Sequence, residues 1–338
     1  HPRVRRQRQM CIRDSIYPDV KKQVLDFYKQ NPAQARAQFG DDPFDVKNVM
    51  KYWVRSKDPD MRIIPSDTLY VKIDKEAVKK SGMLMASDTI PDKMVISLAG
   101  KRMLDKKQLM MLEMIAQSNW TRPLYVATTV GADNYMNLGD NFVQEGLAYR
   151  ITPFTTKNPG VKSFDTEKAY NNLMYRYKWG GLEKPGLYLD ETVMRMCYTH
   201  RHLFAMLALE LINEGKKDKA IKVLDKSLKV IPEYNVPMTF MSGASELARA
   251  YALAGQKAKA AKLLNAVWKN EEQYALWYLS LEGTRFTQAQ NDFLRQAMMM
   301  QSTAELTSLV DEKLASKRMQ RLNALYTAYR NKGGAELN

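Results

Sequence analysis

The sequence has 338 residues, of which 45% are hydrophobic and 26% charged, and this ordinary composition excludes a chain that is disordered over most of its length. Two cysteines, Cys11 and Cys197, are too few to indicate a disulfide framework. The formal net charge is +15, but the lysines are spread over predicted helix surfaces, so we interpret it as a solvated basic surface and expect no nucleic-acid partner.

The first 15 residues differ in pattern from the rest of the chain. The run HPRVRRQRQMCIRDS holds five arginines and one aspartate and resembles a translated adapter sequence. We therefore predict that residues 1–15 are a non-native tail and that this sequence is the C-terminal piece of a longer protein. No apolar run approaches the ~18 residues that span a bilayer, and the N-terminus lacks the apolar core of a signal peptide. Taken alone, the chain is predicted to be soluble.

Residues 16–160 are predicted to fold as a small mixed α/β domain. Helical spacing of apolar residues predicts helices, and runs rich in β-branched and aromatic residues predict strands. Asp74 is a preferred N-cap residue for a short helix that begins at Lys75. In chain order the other predicted elements are helix Tyr17–Phe39 with a break at Asn31-Pro32, helix Pro43–Val54, strand Leu69–Ile73, strand Met94–Leu98 and helix Leu104–Gln117.

The stretch Asn119–Pro153 is the predicted centre of this domain. Leu124–Val130 lies between Pro123 and Gly131 and is predicted to be a buried strand. Leu147–Ile151 is a second predicted strand. The dense apolar order of the stretch therefore indicates a core sheet, with more strands supplied by the chain before it.

The order strand, helix, strand from Met94 to Val130 predicts a parallel strand pair joined by a right-handed crossover. Three polar residues, Arg122, Glu145 and Arg150, stand among the apolar residues of the central stretch. Burying any of them without a partner would be costly.

Residues 161–338 are predicted to form a tetratricopeptide-like helical domain, which makes the fold class α+β, mostly α. Asp165 is expected to cap a helix that ends at Tyr177, and the later helices repeat. Gly215 and Gly255 each end the first helix of a pair, where a left-handed cap is favoured. Residues 271–330 fit the repeat poorly and are predicted to cap the array. The repeat is indicated by Phe204, Leu207, Ala208, Leu211, Ala220, Leu224 and Pro232 in the first copy and by Ala248, Tyr251 and Ala260 in the second.

Methionine is frequent in this sequence, with 21 residues. Its unbranched, polarizable side chain fills irregular gaps in a core. The neighbouring methionines at 110–111 and 298–300 are therefore interpreted as gap-filling core residues.

Two short runs could suggest a metal or nucleotide site, but neither spacing supports one. In Cys197-x-x-His200-x-His202, a helix would place Cys197 and His200 on one face and His202 away from it, with no fourth ligand. The run DPD at residues 58–60 has the composition of a turn, and no nucleotide-binding fold precedes it. No recognised catalytic motif occurs, so no catalytic residue, metal or cofactor is predicted for this chain.

An aromatic and cationic cluster is the remaining candidate site. Trp120, Tyr149 and Trp179, together with Arg122 and Arg150, could form a recognition surface for sugars or phosphates. The alternative is domain packing, with the arginines held in internal hydrogen bonds.

Three longer runs resemble the C-terminal half of a family of bacterial membrane proteins. They are NWTRPLYVATTVG from Asn119, EGLAYRITP from Glu145 and KWGGLEKPGLYLDE from Lys178. The family is glycosyltransferase family 117, also catalogued as DUF2723, and it is similar to protein O-mannosyltransferases. The resemblance covers about residues 16–338, with the motifs in the same order.

This resemblance implies an N-terminal multi-pass membrane domain of the lipid-linked-sugar type, with the catalytic acidic residue in its first extracytoplasmic loop. A large domain on the periplasmic side would follow it. Since the membrane half is expected to be missing here, no catalytic residue of the family maps to a position in this sequence. The implied location is the inner membrane of a Gram-negative bacterium, with this region in the periplasm.

The sequence thus supports two functions of different kinds. The resemblance implies a region that is non-catalytic by itself and binds an acceptor protein or another polypeptide, with its own membrane domain as a further partner. The alternative is a free-standing tetratricopeptide adaptor, which the register of Gly215 with Ala220 and of Gly255 with Ala260 favours. Nucleic-acid binding rests on the net charge alone.

Overall fold

The computed structural model describes residues 13–83, 89–157 and 162–335. In these residues the protein is α+β and mostly α, as predicted, with small sheets in its N-terminal half and a helical array in its C-terminal half. The chain divides between Asp165 and Thr166 into two compact units. Residues 1–12 and 158–161 lie outside the described part, so the non-native tail and the domain boundary at residue 160 stay predictions.

None of the helices in the described ranges combines the length and the apolar content needed to cross a bilayer.

The first unit opens with two short helices, α1 (Val20–Gln30) and α2 (Pro32–Phe39). They are separated at Asn31 as predicted, because Pro32 lacks an amide proton and starts a new helix. The ring of Phe39 stacks on that of Trp53 with centroids 4.6 Å apart. This contact belongs to a small apolar cluster of its own, which also contains Val24 and Phe44.

The predicted helix over residues 43–54 is present, but most of it has π geometry. α3 (Val46–Asn48) runs directly into a π-helical turn, Val49–Val54. Asp45 caps its start, since its side chain accepts a hydrogen bond from the amide of Lys47 at 3.0 Å. The wider turn carries Val49, Met50 and Trp53 into the interior.

Antiparallel strand pairs form the next layer of the first unit. β2 (Thr68–Lys72) pairs with β3 (Lys93–Ser97), and β1 (Arg13–Ser15) pairs with β4 (Met103–Asp105). Along β3, buried and exposed residues alternate, as expected for a strand with one face on the core. Asp74 caps α4 (Lys75–Lys80) as predicted, accepting from the amide of Ala77.

The long helix of the first unit, α5 (Lys106–Gln117), begins at a capping box formed by Asp105 and Gln108. The sequence had placed its start at Leu104, which instead belongs to β4. Leu112 and Ile115 of α5 face the main core of this unit.

The predicted parallel crossover is wrong. β5 (Tyr125–Ala127), β6 (Phe142–Gln144) and β7 (Ala148–Ile151) form an antiparallel sheet in the order β5-β7-β6, while β3 pairs with β2 elsewhere. The predicted buried strand from Leu124 to Val130 is also shorter and less buried than expected. Because the amide of Val130 bonds back to the carbonyl of Ala127, the chain turns after three strand residues.

The second unit consists of helices. It starts with α6 (Thr166–Asn171), which passes into a π-helical turn, Asn172–Arg176. Gly215 and Gly255 adopt left-handed conformations, with φ of 77° and 84°, at the ends predicted from sequence. The helices that follow are α7 (Glu191–Asn213), α8 (Lys217–Val230), α9 (Ala244–Leu253), α10 (Lys257–Ser280), α11 (Gly283–Ser308) and α12 (Glu312–Asn331). The tetratricopeptide assignment of these pairs stays a prediction.

A buried arginine fixes the connection between α8 and α9. Arg201 donates to the carbonyl oxygens of Ile231 and Pro237, each at 3.0 Å, and to that of Val236. Burial lowers the pKa of its guanidinium to about 10. The connection between α8 and α9 is therefore an ordered element of the array.

Candidate functional site

An apolar groove of about 500 Å³ lies between α5 and the edge of the β5-β7-β6 sheet. Its floor is made of aliphatic and methionine side chains. Among the lining residues that the structure describes, only Lys107 carries a charge and none is a carboxylate. The lining residues are Lys107, Gln108, Met110, Met111, Met114, Ile115, Leu124, Tyr125, Val126, Ala127, Val130, Asn134 and Ile151.

The groove exposes two methionines that a closed core would bury. Met110 is 54% exposed and Met114 is 56% exposed. Because they are four residues apart, they lie on one face of α5, while Leu112 faces the core. Methionine side chains adapt to partners of different shape. This face of the helix is therefore suited to covering by another apolar surface.

The core interpretation of the neighbouring methionines is correct for some of them and wrong for others. Met111 packs against the main core and Met300 is fully buried. Met110 and Met298, at 54% and 57% exposed, are surface residues. The spacing of Met110 and Met114 opposite the leucines of α5 was the sequence signal that could have identified the groove.

The backbone of β5 forms the second wall of the groove. The carbonyl of Leu124 accepts from the amide of Ile151 at 2.9 Å, and the amide of Thr128 donates to the carbonyl of Leu147 at 3.3 Å. Along an antiparallel strand, every second residue bonds to the partner strand and the residues between point the other way. Because Leu124 bonds to β7 and Thr128 bonds to the residue just before it, the amides of Tyr125 and Ala127 point away from β7. In the described part of the chain no other strand pairs with this edge.

A buried ion pair supports the sheet behind this edge. Arg150 Nη1 lies 3.3 Å from Glu145 Oε1, with both side chains buried, and Arg150 Nη2 donates to the carbonyl of Ser81 at 2.8 Å. The hydroxyl of Tyr125 donates to Glu145 Oε2 at 2.8 Å. Burial and this carboxylate together raise the pKa of Tyr125 to about 12. Of the three polar residues noted in the sequence, Glu145 and Arg150 are thus buried as a pair.

The residues predicted as an aromatic and cationic surface occupy different environments in the first unit. Trp120 is buried, and its Nε1 donates to the carbonyl of Lys72 at 3.3 Å. Tyr149 is half-buried and stacks on Phe142, and Arg150 is buried in the ion pair. Arg122 is exposed. Trp120 and Arg150 are therefore engaged in internal contacts.

Trp179, the fifth residue of that prediction, belongs to the second unit. Its ring lies 5.1 Å from that of Phe204 and 5.6 Å, edge-on, from that of His200. Cys197 is buried and forms part of the core of this unit. Burial lowers the pKa of His200, and His202 Nδ1 lies 3.7 Å from Glu246. Across the described residues, no three histidine, cysteine, aspartate or glutamate side chains are grouped to hold a metal ion.

The turn interpretation of residues 58–60 is confirmed. Pro59–Met61 form a short 3-10 helix, and Asp58 accepts a hydrogen bond from the amide of Asp60 at 3.0 Å. An aspartate that caps its own turn needs no ligand to explain its position.

The described part of the chain is thus a mixed α+β module with an exposed apolar groove, followed by a helical array. Residues 7–169 match the model of a family described as TMEM260-associated domain 2. The match is consistent with the resemblance to protein O-mannosyltransferase-like proteins. Neither the curated proteins nor the solved structures contain a significant match to the chain.

Proposed function

We propose that this chain is the non-catalytic periplasmic region of a multi-pass membrane glycosyltransferase and that it binds the acceptor polypeptide. The transferase would be of the lipid-linked-sugar type within glycosyltransferase family 117, in the inner membrane of a Gram-negative bacterium. Support comes from the match of residues 7–169 to TMEM260-associated domain 2 and from the three motif runs. The membrane domain of the same protein would be its constant partner.

The groove between α5 and β5 is the observation that supports polypeptide binding. An extended peptide added beside β5 would bond to the outward amides of Tyr125 and Ala127. Alternate side chains of that peptide would then meet Met110 and Met114. Backbone pairing of this kind does not depend on the side chains of the peptide and therefore tolerates many acceptor sequences.

Ala127→Pro tests this mode of binding. Proline removes the outward amide of Ala127 but no hydrogen bond to β7, and edge strands tolerate proline. The matched control Ala127→Val keeps the amide. Peptides of ten residues are selected by phage display on the wild-type chain, and their affinities are measured by fluorescence anisotropy. Since one backbone hydrogen bond is lost, we expect Ala127→Pro to weaken the selected peptides about threefold to tenfold and Ala127→Val to retain them.

Two results would contradict peptide addition at β5. One is equal affinity of the selected peptides for Ala127→Pro and for the wild type. The other is selection of no peptide, with the melting temperatures of the three proteins showing that all are folded.

The alternative, a tetratricopeptide adaptor, is favoured by one observation in the second unit. The helices Glu191–Asn213 and Lys217–Val230, and then Ala244–Leu253 and Lys257–Ser280, follow one another as pairs, each with a left-handed glycine between its helices. Selected peptides that bind Ala127→Pro normally but lose affinity on substitution in these helices would support the adaptor. Gene sequence upstream of Ile16 separates the two as well, because only a transferase requires many apolar spans there.

A further inference from the structure

A second concavity of the first unit, away from the groove, is polar. It has a volume of about 550 Å³ and lies where α3, the end of β2 and the turn that follows α5 approach one another. Carboxylate, carboxamide, ammonium and phenol groups line it together. The lining residues are Gly40, Asp41, Asp45, Lys47, Asn48, Tyr52, Val71, Lys72, Ile73, Asp74, Ala116 and Asn119. We call this the polar cleft.

The polar groups of the cleft are held in place by short contacts. Asp45 is 5% exposed, and its Oδ1 accepts from the amide of Lys47. Asp74 Oδ1 accepts from the amide of Ala77 at 3.0 Å. Across the mouth, Lys47 Nζ donates to Asn119 Oδ1 at 2.5 Å. These donors and acceptors are therefore preorganised.

Asn119 reaches the cleft through an unusual backbone. Asn119 and Trp120 have φ of 46° and 60°, in a region of backbone conformation that residues other than glycine rarely adopt. The conformation is maintained by the burial of Trp120 and by its hydrogen bond to the carbonyl of Lys72, another residue of the cleft. Trp120, predicted from sequence as a binding residue, is in this arrangement a positioning residue.

The chemistry of the lining selects among ligand classes. Asp41, Asp45 and Asp74 outnumber the two lysines of the lining, Lys47 and Lys72, so the net negative charge of the cleft disfavours a phosphate or carboxylate ligand. Within the described part of the chain, the acidic side chains are not grouped to hold a metal ion. An apolar ligand would strip water from charged groups without replacing their hydrogen bonds. A neutral ligand that both donates and accepts hydrogen bonds satisfies all three conditions.

We propose that the polar cleft binds a saccharide. Sugar hydroxyls donate to the carboxylates and accept from Lys47, Lys72 and the amide group of Asn119. Tyr52 adds a ring and a phenol at the same surface. This site is separate from the groove and would recognise a glycan whichever polypeptide the groove binds.

Saturation-transfer NMR on the full chain tests the inference, with mannose, galactose, glucose and N-acetylglucosamine as probes and glycerol as the non-sugar control. Asn119→Gly removes the carboxamide and keeps the left-handed backbone. Asn137→Gly is the matched control, because Asn137 also has a positive φ, of 60°, and does not line the cleft. Asp41→Ala removes an exposed acceptor.

At least one sugar should show transfer while glycerol shows none. Asn119→Gly and Asp41→Ala should each weaken that sugar about threefold to tenfold, the factor expected for one hydrogen bond, and Asn137→Gly should leave it unchanged. Absence of transfer from every sugar overturns the inference. So does equal binding by Asn119→Gly, or a loss as large in Asn137→Gly, because either result places the sugar elsewhere.

Discussion

Glu271 is a buried acid in the helical array, and its position makes stability depend on pH. Its Oε1 accepts from the hydroxyl of Thr303 at 2.8 Å, and Arg318 stands nearby. Burial raises the pKa of Glu271 to about 7, against the opposing effects of these two residues. Between pH 4.5 and about 7 the folded chain therefore holds a proton that the unfolded chain has released.

The stabilisation linked to protonated Glu271 is full below pH 4.5 and is lost as pH rises through about 7. The loss corresponds to about 3 kcal/mol, since one pKa unit is about 1.4 kcal/mol. Glu271→Gln cannot ionise, so urea unfolding should find it more stable than wild type by that amount at pH 8 and equal to it near pH 4.5. Glu305→Gln, at an exposed position, is the control for loss of one charge. A stability difference that is the same at both pH values would contradict the assignment.

At the scale of single residues, the sequence could identify polar residues that are costly to bury, but not the partners that they bind. Arg150 was expected either on a surface or in internal hydrogen bonds, and it lies in internal ones. Its second partner, the carbonyl of Ser81, is 69 residues away along the chain. Contacts between residues so far apart in the sequence depend on the tertiary structure, which the pattern of neighbouring residues does not reveal.

At the scale of elements, glycine is required where the first helix of each pair ends in a left-handed conformation. Replacing it should lower the free energy of unfolding by a measurable amount. Gly215 has φ of 77°, and a Cβ added there would meet no atom within 4 Å. Gly215→Ala should therefore cost only the backbone term, about 1–2 kcal/mol of the free energy of unfolding. Chemical denaturation measures it.

Gly131→Ala is the matched control for Gly215→Ala. Gly131 has φ of −66°, and its added Cβ would lie 4.0 Å from the nearest atom, in Asn134. Alanine fits this conformation, so we expect no loss, and a gain of up to about 1 kcal/mol from the less flexible unfolded chain. Equal destabilisation by both substitutions would show that the left-handed backbone is not the cause.

Helices and caps were predictable from this sequence because their signals are local. The cap at Asp74, the break at Asn31 and the glycines between paired helices each depend on a few adjacent residues. Strand pairing was not predictable. β5 has three residues, and its partner begins at Ala148, so nothing in its own composition distinguishes antiparallel pairing from a crossover. The groove was missed for the same reason, since one of its walls is a sheet edge.

For the whole molecule, the proposed function separates binding from chemistry. Suppose that the groove holds the acceptor polypeptide while the sugar is transferred in the membrane domain. The contacts in the groove are then equally strong in the ground state and in the transition state, so their loss weakens acceptor binding without slowing the chemical step. In the full-length protein, which we propose is a transferase, Met110→Ser with Met114→Ser should raise KM for a polypeptide acceptor about tenfold and leave kcat unchanged. Steady-state assays with a lipid-linked sugar donor measure both constants.

The control for this double substitution is Met241→Ser with Met298→Ser, at positions that are 65% and 57% exposed and outside the groove. It removes the same two thioethers from the surface and should change neither constant. A fall in kcat with unchanged KM in the groove variant would mean that these residues act in the transition state, as a catalytic region does. Sugar transfer by the 338-residue chain alone would contradict the separation directly, because the proposed membrane domain is then not needed for chemistry.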